Sequence, residues 1–462
     1  MEENKTNNAL GTVPVGRLLF KLALPAILAQ MINALYNIVD RMYIGHIPGI
    51  GHTALTGVGL VFPVIMLISA FAALIGMGGA PLAAIKLGEK DKAGAEGILG
   101  NAATMVIIFA AVLTAFFLIF ERPLLMAFGA SEQTIGYSLQ YLTIYLCGTI
   151  CVMTTLGLNA FINTQGFATM GMLTVIIGAV LNIILDPIMI FVFGLGVRGA
   201  AIATIFSQAV SAVWVLSFLT GKKTGIRIKI SRMRLKKACV TSIVALGISP
   251  FIMQSTESLL NLVLNTSLQH YGGDLAVGAM TIISSVSQLA MMPLTGLSQG
   301  GQPIISYNYG AKNYDRVRRA YKLMILSSFV LSSLVWVLVE FFPELVVSIF
   351  TTDAELTALT VWAIRIFMFC IGIMGLQTGC QQSFVALGQA KVSMFLAMLR
   401  KLILLIPLII IIPRAFGIGM TGVFIAQPIA DFLAVTSTVS VFLWRIKKIV
   451  PAQKKISGEN VA

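Results

Sequence analysis

The chain has 462 residues, of which 57% are hydrophobic and only 11% are charged, and its mean hydropathy is +0.92. A soluble domain of this size could not bury so much apolar surface, so the composition excludes a soluble enzyme or binding module and predicts a protein embedded in lipid. The net charge of +14 does not indicate nucleic-acid binding, because the basic residues lie in particular loops rather than in one basic domain.

Twelve apolar segments follow one another between polar breaks, and each is about long enough to cross the ~30 Å hydrocarbon core as a helix. The sequence therefore predicts an all-α polytopic membrane protein. The predicted spans are residues 17–45, 54–79, 97–120, 134–164, 169–193, 199–219, 238–268, 275–300, 317–341, 354–386, 392–413 and 420–444.

Two glycine-rich turns recur at one constant offset along the chain. Gly79-Ala80-Pro81 reappears as Gly301-Gln302-Pro303, and Gly88-Glu89-Lys90 reappears at the same offset as Gly310-Ala311-Lys312. The chain is therefore an internal duplication with six helices in each half, an even number that makes the two repeats parallel. This pattern is typical of secondary transporters, in which the substrate path lies where the halves meet.

The basic loops predict the orientation and the division into domains. Lysines and arginines cluster between residues 220 and 237, between 312 and 322, and in the tail after 445, all on one predicted side. By the positive-inside rule that side is cytoplasmic, with both termini. We expect an N-terminal segment 1–16, a first lobe 17–219, a solvated linker 220–237 long enough to let the lobes rock, a second lobe 238–445 and a tail 446–462.

Polar side chains form equivalent stripes in the first and seventh helices. Spacings of three and four residues place each stripe on one helical face. The stripe of the first helix is Gln30, Asn33, Asn37 and Asp40, and that of the seventh, mostly related by a constant offset, is Gln254, Glu257, Asn261 and Asn265. A second equivalent pair of sites, again at a constant offset, consists of Thr155 and Asn159 in the fourth helix and Gln377 and Gln381 in the tenth.

Three of the acids within the predicted spans are candidates for function, because an ionised aspartate at a helix centre costs about 2.5 to 3.5 kcal/mol on insertion scales and requires a reason. They are Asp40, Glu257 and Asp186, the last of which shares a face of the fifth helix with Asn182. Binding of a coupling cation or proton would supply that reason. Amides at such positions also join helices by hydrogen bonds, and the opposite charges of Arg365 and Asp431 predict a structural ion pair.

No enzymatic site is expected. The five cysteines lack metal-ligand spacing, and the sequence contains neither a phosphate-cradling glycine loop with its lysine nor a nucleophile elbow. We therefore predict no cofactor, no nucleic-acid partner and no obligate protein partner.

Two intramembrane motifs carry a family resemblance. Residues 36–45, Tyr-Asn-Ile-Val-Asp-Arg-Met-Tyr-Ile-Gly, and 181–187, Leu-Asn-Ile-Ile-Leu-Asp-Pro, resemble the first- and fifth-helix motifs of the multidrug and toxic compound extrusion (MATE) family. Residues 301–312 and 384–391 resemble its bacterial MepA-like branch. The similarity covers residues 14 to 445.

The resemblance implies a two-lobed antiporter of the bacterial inner membrane that exports amphipathic, often cationic drugs in exchange for protons or sodium ions. It places the coupling carboxylates at Asp40 and Asp186, with Asn159 and Asn182 beside them, and a further acid of the second lobe at Glu257. Where the lobes meet, the expected substrate path includes Gln30, Asn33, Tyr36, Asn37, Gln254, Asn261, Gln377 and Gln381.

The tenth helix departs from the family pattern. Some relatives carry an aspartate there, whereas this chain has Leu376, Gln377 and Gln381, which puts a tenth-helix ion site in doubt. Two alternative functions stay open at this point. One is a flippase for a lipid-linked sugar precursor, which would need a cationic cavity for pyrophosphate, and the other is an intramembrane hydrolase using the paired acids.

Overall fold

The computed structural model describes residues 9–222, 224–351 and 353–451. Over these residues the regular secondary structure is helical, without a β-strand. A helix satisfies its backbone N–H and C=O groups within one segment, which hydrocarbon requires because it offers no water to bond. The outer parts of the predicted terminal segments, residues 1–8 and 452–462, and Lys223 of the predicted linker lie outside the described residues.

Ten helices of the described chain are long and apolar enough to cross a membrane, and two bent pairs bring the number of spans to twelve. We number the spans α1 to α12 in chain order. They are Val15–Gly45, Thr53–Gly88, Lys92–Ala127, Ile135–Cys147 with Thr149–Thr164 (bent by 58°), Ala168–Val192, Val197–Thr220, Lys237–Gly273, Leu275–Gly310, Tyr314–Phe341, Ala354–Phe367 with Ile371–Ala386 (bent by 46°), Ala390–Ala415 and Gly419–Ile449.

The number and order of the spans confirm the predicted all-α, twelve-helix class. Several helices extend beyond their apolar segments: α2 continues to Gly88 and α3 begins at Lys92, whereas hydropathy placed these ends at 79 and 97. Hydropathy marks only the part of a helix that lies in lipid. The polar end of α2 stays helical in the interface, where Lys86 forms an ion pair with Glu89 (2.7 Å).

Two lobes meet through glycines that make the same contact twice with exchanged roles. The Cα of Gly88 in α2 lies against the backbone of Tyr307 in α8, and Gly310 in α8 lies against the backbone of Ile85 in α2. Gly310 and Tyr307 are the counterparts of Gly88 and Ile85 at the offset of the duplicated turns. Such reciprocal contacts are the signature of a two-fold relation between the halves, as the duplicated turns predict.

These close contacts seal one end of the lobe interface. We call the membrane face that carries the first and last described residues the terminal side, and the other face the opposite side. Gly78 against Gly247, and Gly300 against Ala23, repeat the reciprocal pattern about 12 to 15 Å inside the terminal side at 1.5 Å per residue. A side chain at any of these glycines would meet backbone, so the lobes approach closely only because Cβ atoms are missing there.

Between these glycine contacts and the opposite side, the polar stripes of α1 and α7 are exposed. Asn33 and Asn37 on α1 and Glu257 and Asn261 on α7 are exposed. Polar groups at this depth are not stable against lipid tails. We interpret the space between the stripes as a cleft that opens toward the opposite side.

The predicted linker is not a free solvated loop. Thr224 and Ile226 are fully buried, and the Gln165 Oε1 atom accepts hydrogen bonds from the Thr224 hydroxyl (2.8 Å) and the Ile226 backbone N–H (3.0 Å). Further along, the Lys229 ammonium pairs with the buried Glu96 carboxylate (2.8 Å). The prediction of a loose linker is therefore wrong for residues 224–236, because these buried polar contacts fasten it to the first lobe.

Candidate functional site

A cluster of polar side chains lies in the first lobe, in the halves of the helices nearest the opposite side. Asp186 on α5 is fully buried and Asp40 on α1 is 8% exposed. Asn182, one turn before Asp186, donates a hydrogen bond to the Asp186 Oδ1 atom (3.2 Å) and lies 3.3 Å from the Thr204 hydroxyl of α6. The structure thus brings together three of the predicted site residues, Asp40, Asp186 and Asn182.

Two tyrosines, Tyr36 and Tyr141, lie beside the carboxyl groups, and a third, Tyr145, lies next to them. Tyr36 of α1 interacts electrostatically with Asp40, Asp186 and Tyr145, and Tyr141 interacts with Asp40. Tyr141 and Tyr145 are four residues apart on α4 and both are buried. Tyr141, Tyr145 and Thr204 are not among the residues predicted from the sequence. The four-residue spacing of the two tyrosines was a readable signal, whereas the place of Thr204 depends on how α5 and α6 pack.

Several acceptor oxygens in this cluster have no donor. The Oδ1 atom of Asp40, the Oδ2 atom of Asp186 and the Oδ1 atom of Asn182 are buried without a hydrogen-bond partner. Among the described residues neither carboxyl forms an ion pair, and the neighbouring Arg41 places its guanidinium over the Phe62 ring (5.1 Å to the centroid). Buried acceptors without donors are rare and costly. Protonation or a bound cation would satisfy them.

The helix that carries Asp186 changes its geometry directly after this residue. Pro187 follows Asp186, and residues Ile188–Val192 form a π-helical turn. Proline removes a backbone donor from the helix, and short π segments within α-helices are frequent at functional sites. Asp186 therefore lies where the regular α-helical geometry of α5 ends.

Asn159 does not join the cluster. Its Nδ2 atom donates to the Gly171 carbonyl of α5 (3.2 Å). Gly171 lies about four turns before Asp186 on the same helix, which is about 22 Å at 1.5 Å per residue. The predicted position beside the aspartates is wrong, because α4 and α5 run in opposite directions and Asn159 lies near their shared turn at the terminal side.

In the second lobe Glu257 has a partner that the sequence analysis did not identify. The Lys401 ammonium of α11 forms an ion pair with the Glu257 carboxylate and also donates to the Met253 carbonyl (2.8 Å). Lys401 is buried, while the Glu257 side chain is 52% exposed. A coupling cation at Glu257 would have to compete with this ammonium. Arg400 and Lys401 are the only charged residues of predicted span 392–413, which was a readable signal.

Asp431 is paired, but with a residue other than the predicted one. The Arg400 Nε atom lies 2.8 Å from the Asp431 Oδ1 atom, and the Gln427 amide donates to the Asp431 Oδ2 atom (3.0 Å). The side chain of Arg365 is exposed. The predicted Arg365–Asp431 pair is wrong, because α12 directs Asp431 toward α11 and not toward α10.

The predicted substrate-path residues divide into four groups. Gln30 donates to the Gln299 side chain of α8 across the lobe interface (3.3 Å), on the floor of the cleft. Along the cleft walls lie Asn33, Asn37, Gln254 and Asn261, with the Asn37 amide bonded to the Asn33 carbonyl (2.6 Å). Tyr36 belongs to the cluster inside the first lobe, beside Asp40 and Asp186. Gln377 and Gln381 are buried within the second lobe, where Gln381 approaches Ser249 (3.5 Å), so they lie away from the cleft.

A comparison with protein-family models identifies this architecture. The MatE family model matches residues 25–188 and 250–411, one segment in each lobe. The chain belongs to the MatE family. This confirms the resemblance carried by the first- and fifth-helix motifs, and it makes the chain a polytopic membrane transporter and not an enzyme.

Relatives of this MatE chain span nearly its whole length. The multidrug export protein MepA of Staphylococcus aureus (strain MSSA476) is 27% identical over 454 residues, which are 96% of this chain and 97% of the relative. MepA of Staphylococcus haemolyticus (strain JCSC1435) is 26% identical over 419 residues, with 89% and 90% covered.

Solved structures show the same fold. A crystal structure of MATE in the bent conformation has a TM-score of 0.90 at 24% identity, covering 96% of this chain and 98% of that one. A MOP superfamily transporter from Pyrococcus furiosus has a TM-score of 0.89 at the same identity and coverage.

Proposed function

We propose that the protein exports amphipathic, often cationic drugs from the bacterial cell in exchange for protons or sodium ions. Relatives that cover almost the whole chain carry the name of multidrug export proteins. The stripes of α1 and α7 expose uncharged amides, Asn33, Asn37 and Asn261, among apolar side chains such as Leu35 and Leu262, and such mixed surfaces suit substrates that differ in structure.

One observation carries the coupling part of the proposal. Asp40 and Asp186 are buried with acceptor oxygens that lack donors, and neither belongs to an ion pair within the described chain. Two such carboxyl groups favour uptake of a proton or a dehydrated monovalent cation. Their neutralisation changes the packing between α1, α5 and α6, and that change links ion binding to drug release.

Transport proceeds by rocking of the two lobes about their shared interface. The glycine contacts close the terminal side while the cleft opens toward the opposite side. Because residues 224–236 are fastened to the first lobe, the pivot lies at the start of α7. A membrane potential of 100 mV contributes about 2.3 kcal/mol per charge moved, enough to bias states a few kcal/mol apart.

The orientation follows from the basic loops. The terminal side carries the lysines and arginines of the linker, the 312–322 turn and the tail. We place this side in the cytoplasm and the chain in the bacterial inner membrane. The cleft of this conformation then opens to the outside.

Ethidium efflux from proteoliposomes tests the proposal, driven in turn by an imposed proton gradient and an imposed sodium gradient. We expect one gradient to drive efflux and Asp40→Asn to abolish it. Asp315→Asn is the matched control, because Asp315 is exposed on the terminal side and its ion pair with Arg318 (2.8 Å) lies within one helical turn, far from the cluster.

Two outcomes would contradict the proposal. Gradient-driven export at full rate by Asp40→Asn would remove that carboxyl from the coupling mechanism. Absence of efflux under either gradient, together with movement of a lipid-linked sugar, would favour the flippase. That alternative needs free basic side chains in the cavity, yet Arg400 and Lys401 are each paired with an acid.

A further inference from the structure

A basic depression lies where the linker meets the first lobe on the terminal side. It has a volume of about 330 Å³ and is lined by Gly97, Ser231, Arg232, Arg234 and Lys236. None of these lining residues is acidic. The adjacent Glu96 is 3% exposed and its carboxylate is already paired with Lys229 (2.8 Å), so it does not neutralise the three basic groups.

The backbone that presents these basic side chains is fixed to α3. The Thr104 hydroxyl donates to the Met233 carbonyl (2.6 Å), and the Lys236 backbone N–H donates to the Asn101 Oδ1 atom (2.7 Å). Gly100 lets the Arg232 carbonyl approach the helix closely. Arg232 is half-buried as a result. The positive charge is therefore held in one place and is not spread over a mobile loop.

The depression adjoins apolar side chains at the level where the spans leave the lipid. Lys236 directly precedes the first residue of α7, and Gly97 lies in the second turn of α3. Ile230 is 89% exposed and Leu235 is 46% exposed on the same segment. At a membrane surface, exposed aliphatic side chains such as these can be buried among the acyl chains of the lipid.

We propose that this depression binds the headgroup of an anionic phospholipid. Arg232, Arg234 and Lys236 hold the phosphate by charge-assisted hydrogen bonds, and Ile230 and Leu235 contact the upper part of an acyl chain. The combination of basic and aliphatic groups favours a lipid over free phosphate, which has no apolar part. The bound lipid joins the linker and the start of α7 to the membrane surface beside the first lobe.

Native mass spectrometry of the full-length protein in detergent tests the proposal, with phosphatidylglycerol and phosphatidylcholine titrated separately. Each basic residue near an anionic surface contributes about fivefold in affinity. The triple variant Arg232→Gln, Arg234→Gln, Lys236→Gln is therefore expected to bind phosphatidylglycerol on the order of a hundredfold more weakly, with phosphatidylcholine unaffected. Arg445→Gln, Lys447→Gln, Lys448→Gln is the control, because it removes the same charge from the same side.

A second variant blocks the depression without removing charge. A Cβ atom at Gly97 meets no atom within 4 Å, so Gly97→Leu fills open space at a helical position and leaves the fold intact. We expect this variant to lose phosphatidylglycerol binding as well. Gly136→Leu is its control, since Gly136 is also helical and open but lies in α4 near the opposite side.

Three results would overturn the proposal. Undiminished phosphatidylglycerol binding by the triple variant and by Gly97→Leu would show that the depression is not the site. An equal loss of phosphatidylglycerol affinity in the tail control would show that binding depends on the total surface charge and not on the depression. Displacement of phosphatidylglycerol by an equal concentration of inorganic phosphate would identify an anion site that takes phosphate and not a lipid.

Discussion

The two lobes share one duplicated fold but treat their buried charges differently. In the first lobe Asp40 and Asp186 have no basic side chain bonded to them within the described chain, whereas in the second lobe Glu257 pairs with Lys401 and Asp431 with Arg400. The positions that carry acids in one repeat carry other residues in the next. At the offset that relates the stripes of α1 and α7, the buried Leu264 is the counterpart of Asp40.

A second pair of equivalent residues shows that the same position can support an unpaired acid in one lobe and a paired acid in the other. Thr204 on α6 and Gln427 on α12 occupy corresponding positions in the two repeats, and each lies beside the polar cluster of its lobe. Thr204 neighbours the Asn182 amide that supports an unpaired acid, while Gln427 donates to an acid that is already paired. Under the proposed coupling mechanism this difference favours the first lobe as the place of ion coupling, because the acids of the second lobe are already paired with basic side chains.

Neutralising the acids of the first lobe gives the largest expected effect. Asp40→Asn and Asp186→Asn should each lower gradient-driven export at least tenfold, yet leave the thermal unfolding temperature in detergent unchanged or higher. The reason is that an amide lacks the cost of about 2.5 to 3.5 kcal/mol that a buried charge carries. Unfolding curves and efflux rates of the same preparations check this. A large fall in unfolding temperature would contradict the comparison, because it would make these acids structural.

Removing either partner of the Glu257–Lys401 ion pair in the second lobe should lower the free energy of unfolding, and the two losses should differ in size. Glu257→Ala leaves the buried Lys401 ammonium with only the Met253 carbonyl as an acceptor, and we expect a loss of about 3 kcal/mol in the free energy of unfolding. Lys401→Gln leaves a carboxylate that water in the cleft can solvate, and we expect a loss of about 1 kcal/mol or less. Denaturant unfolding of both variants measures the difference. Equal losses would refute the asymmetry of burial.

Helical periodicity explains what the sequence could predict. Twelve spans, the duplication and the shared face of Asn182 and Asp186 follow from patterns within single helices. Contacts between distant helices do not. Lys401 and Glu257 lie far apart in the sequence, and nothing local distinguishes Arg400 from Arg365 as the partner of Asp431. The attachment of the linker is not visible in the sequence for a related reason, since its polar composition conceals that Gln165 bonds to the buried Thr224 and Ile226.

The two asparagines assigned to the coupling site provide a finer test of the first lobe. Asn182→Ala removes a donor that stabilises the ionised Asp186 carboxylate, so we expect the affinity for a coupling proton to rise about tenfold, as for loss of a hydrogen bond to a charged group. Asn159→Ala should leave that affinity unchanged, because its amide bonds to Gly171, about four turns away. The ion concentration that gives half-maximal export measures both. Equal shifts would place Asn159 in the site after all.

The smallest expected effect concerns the floor of the cleft, where the lobes differ without any charge. Gln30 of α1 donates to Gln299 of α8 (3.3 Å). In the other repeat the counterpart of Gln30 is Gln254 of α7 and the counterpart of Gln299 is Met77 of α2, and methionine offers only a weak sulfur acceptor. A single neutral hydrogen bond contributes about 1 kcal/mol, so Gln30→Ala should change the export rate about fivefold at most. Gln254→Ala is the matched control. A double-mutant cycle with Gln299→Ala isolates the pair, and additive effects would mean that the lobes are joined here by packing alone.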